Sequence, residues 1–449
     1  MNKQYGYVTR IALIASLGGL LFGFDTAVIS GAERDIQLYF QLNSFWHGFT
    51  ISIALIGTMI GALISAKPAD KFGRKKALLF IALLYGISAL GSSLSYNWIA
   101  FLIYRFIGGI AVGGSSVIGP MYIAEIAPAK IRGRLAASFQ LNIVIGQVLS
   151  YVSNFLIIQA FETNAWRWML GAELIPSVIF LFLLFLIPDS PRWLVIKNDT
   201  SRAESILNKL GSVNPTKELN EIIESVKCFS QKTKNRFFIK QNRIPITLAI
   251  LMAVFNQLSG INAIIYYAPR IFESVGFGKD SALLQSIFIG LTLLISVIVG
   301  MSLIDKVGRK KLLLVGSVGM FFFLSMVAGT FYMSLEGGFF TLFYLIGFIA
   351  FFGMSAGAVI WVYIAEIFPN SIRAEGQTLG SLTHWAMAAI ISWLFPVILE
   401  GHAFGGGIAF TLFAVSMVFM FFTVLKVFPE TKGKSLEEIQ KEFIHNDNE

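Results

Sequence analysis

Three ionisable residues stand inside runs that are otherwise apolar: Asp25 in LLFGFDTAVISG, Arg105 in IYRFIGGIAVG and Glu173 in LGAELIPS. A charge at membrane depth costs about 2.5–3.5 kcal/mol on insertion scales, so such residues carry a functional expectation. A carboxylate beside a guanidinium keeps its charge; moved away from it in a dry setting, it takes up a proton. A conformational change that alters the pairing would therefore load and release one proton. The competing reading is structural, a satisfied charge cluster that ties helices together.

A second group of residues suits a polyol. Side-chain amides offer donors and an acceptor at once, and amides within apolar helices turn toward a cavity or a partner helix. Gln140 and Gln147 in FQLNIVIGQ are two turns apart on one helical face. FNQLSGINAIIYY presents Asn256, Gln257, Asn262, Tyr266 and Tyr267, with Gly260 able to distort the helix. Trp361 and the pair His384–Trp385 add stacking surface and polar edges. Each has a plainer role available: an interhelical hydrogen bond for the glutamines, an interfacial anchor for the aromatics, a packed hydrogen-bonded ring for His384. No histidine or carboxylate stands at metal-ligand spacing beside His384, and neither metal nor cofactor is expected. No nucleophile–base pair or phosphate loop argues for an enzyme.

The elements that must hold these residues follow from hydropathy. Apolar residues make up 55% of the 449 and charged residues 14%, against about 25% charged in a soluble domain, and mean hydropathy is +0.71. A bilayer-spanning helix needs about 20 mostly apolar residues. Such runs fall near 9–30, 47–66, 77–95, 98–124, 136–159 and 168–187, and again near 244–270, 281–304, 311–334, 339–365, 377–399 and 404–428. The first run is too long for a signal-peptide core and lacks a cleavage pattern, so it is read as a retained helix. The fold class expected is all-α in a membrane: a six-helix bundle over 1–187, a cytoplasmic linker over 188–243, a second bundle over 244–428 and a tail over 429–449. SRAESILNKL and TKELNEIIESV in the linker have amphipathic spacing.

Lys and Arg set the orientation. With the N-terminus in the cytoplasm, Lys67, Lys71, Arg74, Lys75, Lys76, Lys130, Arg132, Arg134, Lys306, Arg309, Lys310 and Lys311 lie inside, while Arg34, Arg167, Arg270 and Lys279 lie outside. This bias accounts for the net charge of +9 without nucleic acid as a partner. Cys228, the single cysteine, rules out an intramolecular disulfide.

The two halves repeat one another. ADKFGRKK (69–76) recurs as IDKVGRKK (304–311), YIAEIAPAKIRGR (122–134) as YIAEIFPNSIRAE (363–375), and PDSPRWL (188–194) answers PETKGKS (429–435). Parallel repeats belong to alternating-access carriers. Asp70, Arg74, Asp305 and Arg309, with Glu125 and Glu366 as partners, read as cytoplasmic networks that bias the conformational equilibrium, or as topology anchors.

These motifs, with Q-L-S-G-I-N at 257–262, resemble the sugar porter family of the major facilitator superfamily over essentially the whole chain, and within it the bacterial proton–sugar symporters. The resemblance implies two pseudo-symmetric six-helix bundles, a monomer in the cell inner membrane, and a monosaccharide and a proton as the species carried. It implies coupling through Asp25 and Arg105, with Glu173 at the place of a sixth-helix glutamate, and sugar contacts at Gln140, Gln257, Asn262 and Trp361. The sequence departs from the family pattern at Asn256, where a glutamine is usual, at Leu293 (with Thr292 adjacent), where an asparagine is usual, and at His384, where an amide is usual. A facilitative carrier and a non-transporting sugar receptor are the rival readings.

Overall fold

The computed structural model describes residues 5–128, 130–161, 163–212, 214–231, 237–239, 242–333, 338–369, 372–434 and 438; the side chains of 227–231, Cys228 among them, lie outside the description. Among the described residues, 12 helices are long and apolar enough to cross a membrane. They run Gly6–Tyr39, Ser44–Ile64, Arg74–Leu94, Trp98–Ile126, Arg132–Ala160 and Ala165–Leu184, then Arg243–Ser274, Lys279–Val307, Arg309–Tyr332, Phe339–Ile367, Arg373–Gly401 and Gly405–Val427. They are called spans one to twelve below. The end carrying the basic loops is called inner, the other outer. Each expected run lies on its own helix, but span one continues past residue 30 to Tyr39.

Exposed side chains show why these helices need lipid. On span three Leu83, Ile87, Leu90 and Leu94 are exposed, and on span eight Leu284, Phe288, Leu291, Ile295 and Ile298. The alternating three- and four-residue spacing makes each set one continuous apolar stripe. Water would penalise such stripes, whereas hydrocarbon accepts them, with every mid-helix backbone group already paired inside the helix.

The chain divides into two compact units. Unit 1 comprises Met1–Asp25, Gly57–Gln147 and Leu170–Asn235. Its inner end is roofed by the linker helices Pro191–Ile196, Thr200–Lys209 and Pro215–Gln231. Ser190 and Asp199 cap the first two, accepting hydrogen bonds from the amides of Trp193 and Arg202. As their amphipathic spacing requires, Leu194, Ala203, Ile206, Leu207 and Leu219 are buried in one core with Leu78, Tyr122 and Ile126. Unit 2 comprises Thr26–Ile56, Val148–Met169 and Arg236–Glu449, so it gathers spans seven to twelve with the outer parts of spans one, two, five and six.

The repeated loop motif shows its origin in the backbone. Gly73 has φ 95° and ψ 153°, and Gly308 has φ 98° and ψ 159°, a region essentially reserved for glycine. Each turns the chain sharply between two helices, in unit 1 and unit 2 respectively. A Cβ at Gly308 would also collide with the Glu430 carboxylate. Gly308→Ala is therefore expected to lower unfolding stability by about 1–3 kcal/mol, read as a reduced thermal midpoint of the purified protein in detergent; an unchanged midpoint would contradict this account of the turn.

Candidate functional site

In unit 1, spans one, four and six bring three ionisable side chains together. Arg105 donates through Nη1 to Asp25 Oδ1 at 2.5 Å and through Nη2 to Oδ2 at 3.5 Å. Asp25 and Arg105 are each 3% exposed and Glu173 1%. Glu173 stands in span six with helical dihedrals (φ −62°, ψ −21°); it lies within hydrogen-bonding reach of Asp25, and its Oε1 has no partner. Close helix contact sets this geometry. A Cβ at Gly23 would strike the Ile143 carbonyl, and one at Gly146 the Leu20 carbonyl, so these two glycines let spans one and five meet backbone to backbone two residues before Asp25. Two carboxyls facing one guanidinium leave one negative charge uncompensated. A single proton neutralises the set.

Gln140 and Gln147 also belong to unit 1. Gln140 is half-buried; Gln147 is buried, and its Oε1 is without a partner. Nearby Asn142 is engaged, donating to Ser16 Oγ at 2.9 Å.

Unit 2 holds the other polar set. Span seven breaks at Ser259–Gly260, with Gly260 left-handed at φ 82°, as the glycine predicts. Around the break Asn256 Nδ2 donates to the Ala356 carbonyl at 3.2 Å, and Gln257 Nε2 approaches His384 Nε2 at 3.0 Å. The His384 ring is 5.0 Å from that of Trp361 and 4.9 Å from that of Trp385. Span ten breaks at Ser355 (φ −116°, ψ −97°), which presents the Ala356 carbonyl to Asn256. Tyr266 is buried, while Tyr267 donates to the Ser392 carbonyl at 2.9 Å. Leu293 is buried and contributes no amide. Gln257 Oε1 and Asn262 Nδ2 are left without partners, although their residues are 1% and 8% exposed. Buried polar atoms are nearly always paired; an acceptor and a donor left open on one broken helix match the two hydrogen-bonding faces of a hydroxyl.

At the inner ends, each unit repeats one network. In unit 1 Arg74 reaches Glu125 Oε1 at 3.0 Å and Asp70 at 3.0 Å, donates to the Ala69 carbonyl at 3.1 Å, and Tyr122 donates to the Pro188 carbonyl at 2.8 Å. In unit 2 Arg309 reaches Glu366 at 2.7 Å and Asp305 at 3.0 Å, donates to the Ile304 carbonyl at 3.1 Å, and Tyr363 donates to the Pro429 carbonyl at 3.5 Å. The closing motifs take part differently. Trp193 of PDSPRWL donates to the Asp70 carbonyl at 3.0 Å, whereas Glu430 of PETKG accepts from the backbone amides of Arg309 and Lys310.

Comparison with known proteins gives this arrangement its family. Residues 11–443 match the family model described as "Sugar (and other) transporter". The chain belongs to that sugar transporter family. It is 39% identical to the arabinose-proton symporter of Bacillus subtilis, over 99% of this chain and 96% of the relative. It is 36% identical to the D-xylose-proton symporter of Escherichia coli, over 98% and 97%. The solved inward-open structure of the xylose transporter from Escherichia coli superposes with a TM-score of 0.87 at 34% identity, covering 97% of this chain and 99% of that one. The chain is thus a multi-pass membrane protein of the sugar transporter family, and not an enzyme.

This transporter also contains a cluster that sequence reasoning missed. At the outer end of unit 2, Glu33 contacts Arg270 Nε at 2.9 Å and His47 Nε2 at 2.7 Å. Arg270 goes on to Glu400 at 2.5 Å and to Gln37 Oε1 at 2.5 Å. The sequence marks Arg270 only as an outer positive charge, and Glu33 falls beyond the expected end of span one. The available signal was a helical continuation of span one, which would have carried Glu33 into register with the outer ends of its neighbours.

The exposures of the inner networks order their energetics. The Asp70 side chain is 64% exposed and that of Glu125 only 9%. Exposed pairs contribute about 0–1 kcal/mol; stripping a buried guanidinium of its acceptor costs about 1–3 kcal/mol. Glu125→Ala is expected to lower the thermal midpoint clearly and Asp70→Ala barely. The reverse order would show that the exposed i,i+4 pair, not the span-four contact, holds Arg74.

Proposed function

We propose that this chain is a proton-coupled monosaccharide symporter that imports its sugar by alternating access. The observation that carries the reading is the buried Asp25–Arg105–Glu173 set, one proton short of neutrality, in a chain whose relatives are named as arabinose- and D-xylose-proton symporters. Asp25 is the proton carrier, Arg105 the counter-charge whose distance sets whether the proton is held, and Glu173 the second carboxyl that shares it. One charge moved through 100 mV yields about 2.3 kcal/mol, and about 1.36 kcal/mol is a factor of ten. One proton per sugar therefore supports roughly fifty-fold accumulation.

The sugar is a pentose or hexose held in unit 2 by Gln257, Asn262, Asn256, Tyr266, Trp361, His384 and Trp385; within unit 1, Gln140 and Gln147 are the amides suited to sugar hydroxyls. The open atoms on Gln257 and Asn262 supply directional hydrogen bonds, and Trp361 supplies an apolar face. His384 in place of an amide, and Leu293 in place of an asparagine, leave fewer amides on the second half, which suits a small monosaccharide. Asp70, Arg74 and Glu125, with Asp305, Arg309 and Glu366, tune the conformational equilibrium from the inner end. The six-helix halves 1–187 and 244–428 are the moving bodies, with 188–243 as linker. The protein acts as a monomer in the cell membrane, both termini in the cytoplasm, so that inner means cytoplasmic.

Asp25→Asn separates coupled from passive transport. In proteoliposomes the variant is expected to lose sugar accumulation driven by a proton gradient and to retain sugar exchange at equal pH. Accumulation undiminished in the variant would refute Asp25 as the carrier. Gln257→Ala or Asn262→Ala is expected to raise the KM for the transported sugar roughly tenfold, since about 1.4 kcal/mol lies within the range of one lost hydrogen bond; an unaltered KM in both would remove them from the site.

A further inference from the structure

Arg270 sits where span seven is interrupted a second time, beyond the break at Gly260. Tyr267 has non-helical dihedrals (φ −119°, ψ 17°) and Pro269 follows within the helix, so the backbone ladder is interrupted just before the guanidinium. Side chains hold this end in its place. Glu33 and Gln37 of span one and Glu400 of span eleven all bond Arg270. Gln37 and Ser44 also reach Glu400, Lys279 reaches Asp35 at 2.9 Å, and Arg34 pairs with Glu273.

The two sides of this cluster differ. Glu33 is 1% exposed and His47 0%, so that side is dry. The other side opens into a cavity of about 630 Å³ lined by Gln37, Gln41, Arg270, Glu273 and Glu400 among others. Arg270 and Glu400 form the floor of this outer vestibule.

We propose that Arg270 is the outer latch of this carrier, and that the cluster is built so that every buried charge keeps a partner when the latch opens. Parting the outer ends of spans one and two from spans seven and eleven breaks Arg270–Glu33, Arg270–Gln37, Gln37–Glu400, Ser44–Glu400 and Arg34–Glu273, the last at the vestibule wall, where water reaches both partners. Two contacts lie within one side of that division and survive it: Glu33 with His47, and Arg270 with Glu400. Stranding a buried charge is what makes breaking an ion pair costly, and here neither charge is stranded. Arg270 and Glu400 also retain vestibule water. His47 is thus a positioning residue: it holds Glu33 for Arg270 in the closed state and remains its only buried partner in the open one.

The test rests on neither the identity of the sugar nor the coupling to protons, because it reads only the outer ends. In a Cys228→Ser background, spin labels at Leu38→Cys and Ala403→Cys, which flank the vestibule, report their separation by pulsed dipolar resonance on the full-length protein in nanodiscs. The parent is expected to give one predominant short distance. Glu33→Gln and Arg270→Gln are expected to add a resolved longer one. His47→Gln, which removes the partner that Glu33 keeps on opening, is expected not to add it. Distributions for Glu33→Gln and Arg270→Gln that match the parent, or that broaden without a second peak, overturn the latch. A long distance in His47→Gln as populated as in Glu33→Gln overturns the role given to His47.

Discussion

Two carboxyls and one guanidinium, almost wholly out of water, are the constraint around which unit 1 is organised. Asp25 and Arg105 satisfy one another, while Glu173 lies beside them with an oxygen unpaired. An arrangement with one surplus negative charge is poor at holding a fold, because desolvation of the charges opposes their attraction. In the proposed coupling it is where the proton is carried. The backbone contacts at Gly23 and Gly146 bring spans one and five together beside the three groups.

Unit 2, in the proposed reading, meets the related problem for a neutral polar ligand. Helices broken at Gly260 and Ser355 expose backbone carbonyls and turn amides out of their ladders. Two amide atoms consequently remain open in a region where unpaired polar atoms are expensive. The inner networks show the opposite logic. Arg74 and Arg309 are saturated in nearly the same geometry in each unit, as the duplicated sequence requires, and they tie their own unit together. The contacts of the outer cluster at Arg270 cross between the two halves of the sequence.

What the sequence reveals and conceals follows from the range of the interactions. The spans are legible because each needs a long apolar run, and the linker helices because their apolar spacing is local. Gly260 announces its break through a residue type that tolerates positive φ. Ser355 does not, since nothing in FFGMSAGAV distinguishes a break from a continuous helix. Glu33 escaped because hydropathy falls after residue 30, although the helix persists to Tyr39. Its partner Arg270 lies 237 positions away, and no spacing rule joins them. The contact of Asp25 with Arg105 was anticipated from the cost of isolated charges at depth. The approach of Gln257 to His384 was not, because two candidate ligand residues gave no hint that they bond one another.

The central claim is that a proton enters the Asp25–Arg105–Glu173 set with each sugar imported. Adding transported sugar to de-energised cells or right-side-out vesicles in weak buffer measures this directly. Transient alkalinisation of the external medium, matched in amount to the sugar taken up, is the predicted result. Sugar entry at the same rate with no change in external pH would contradict it.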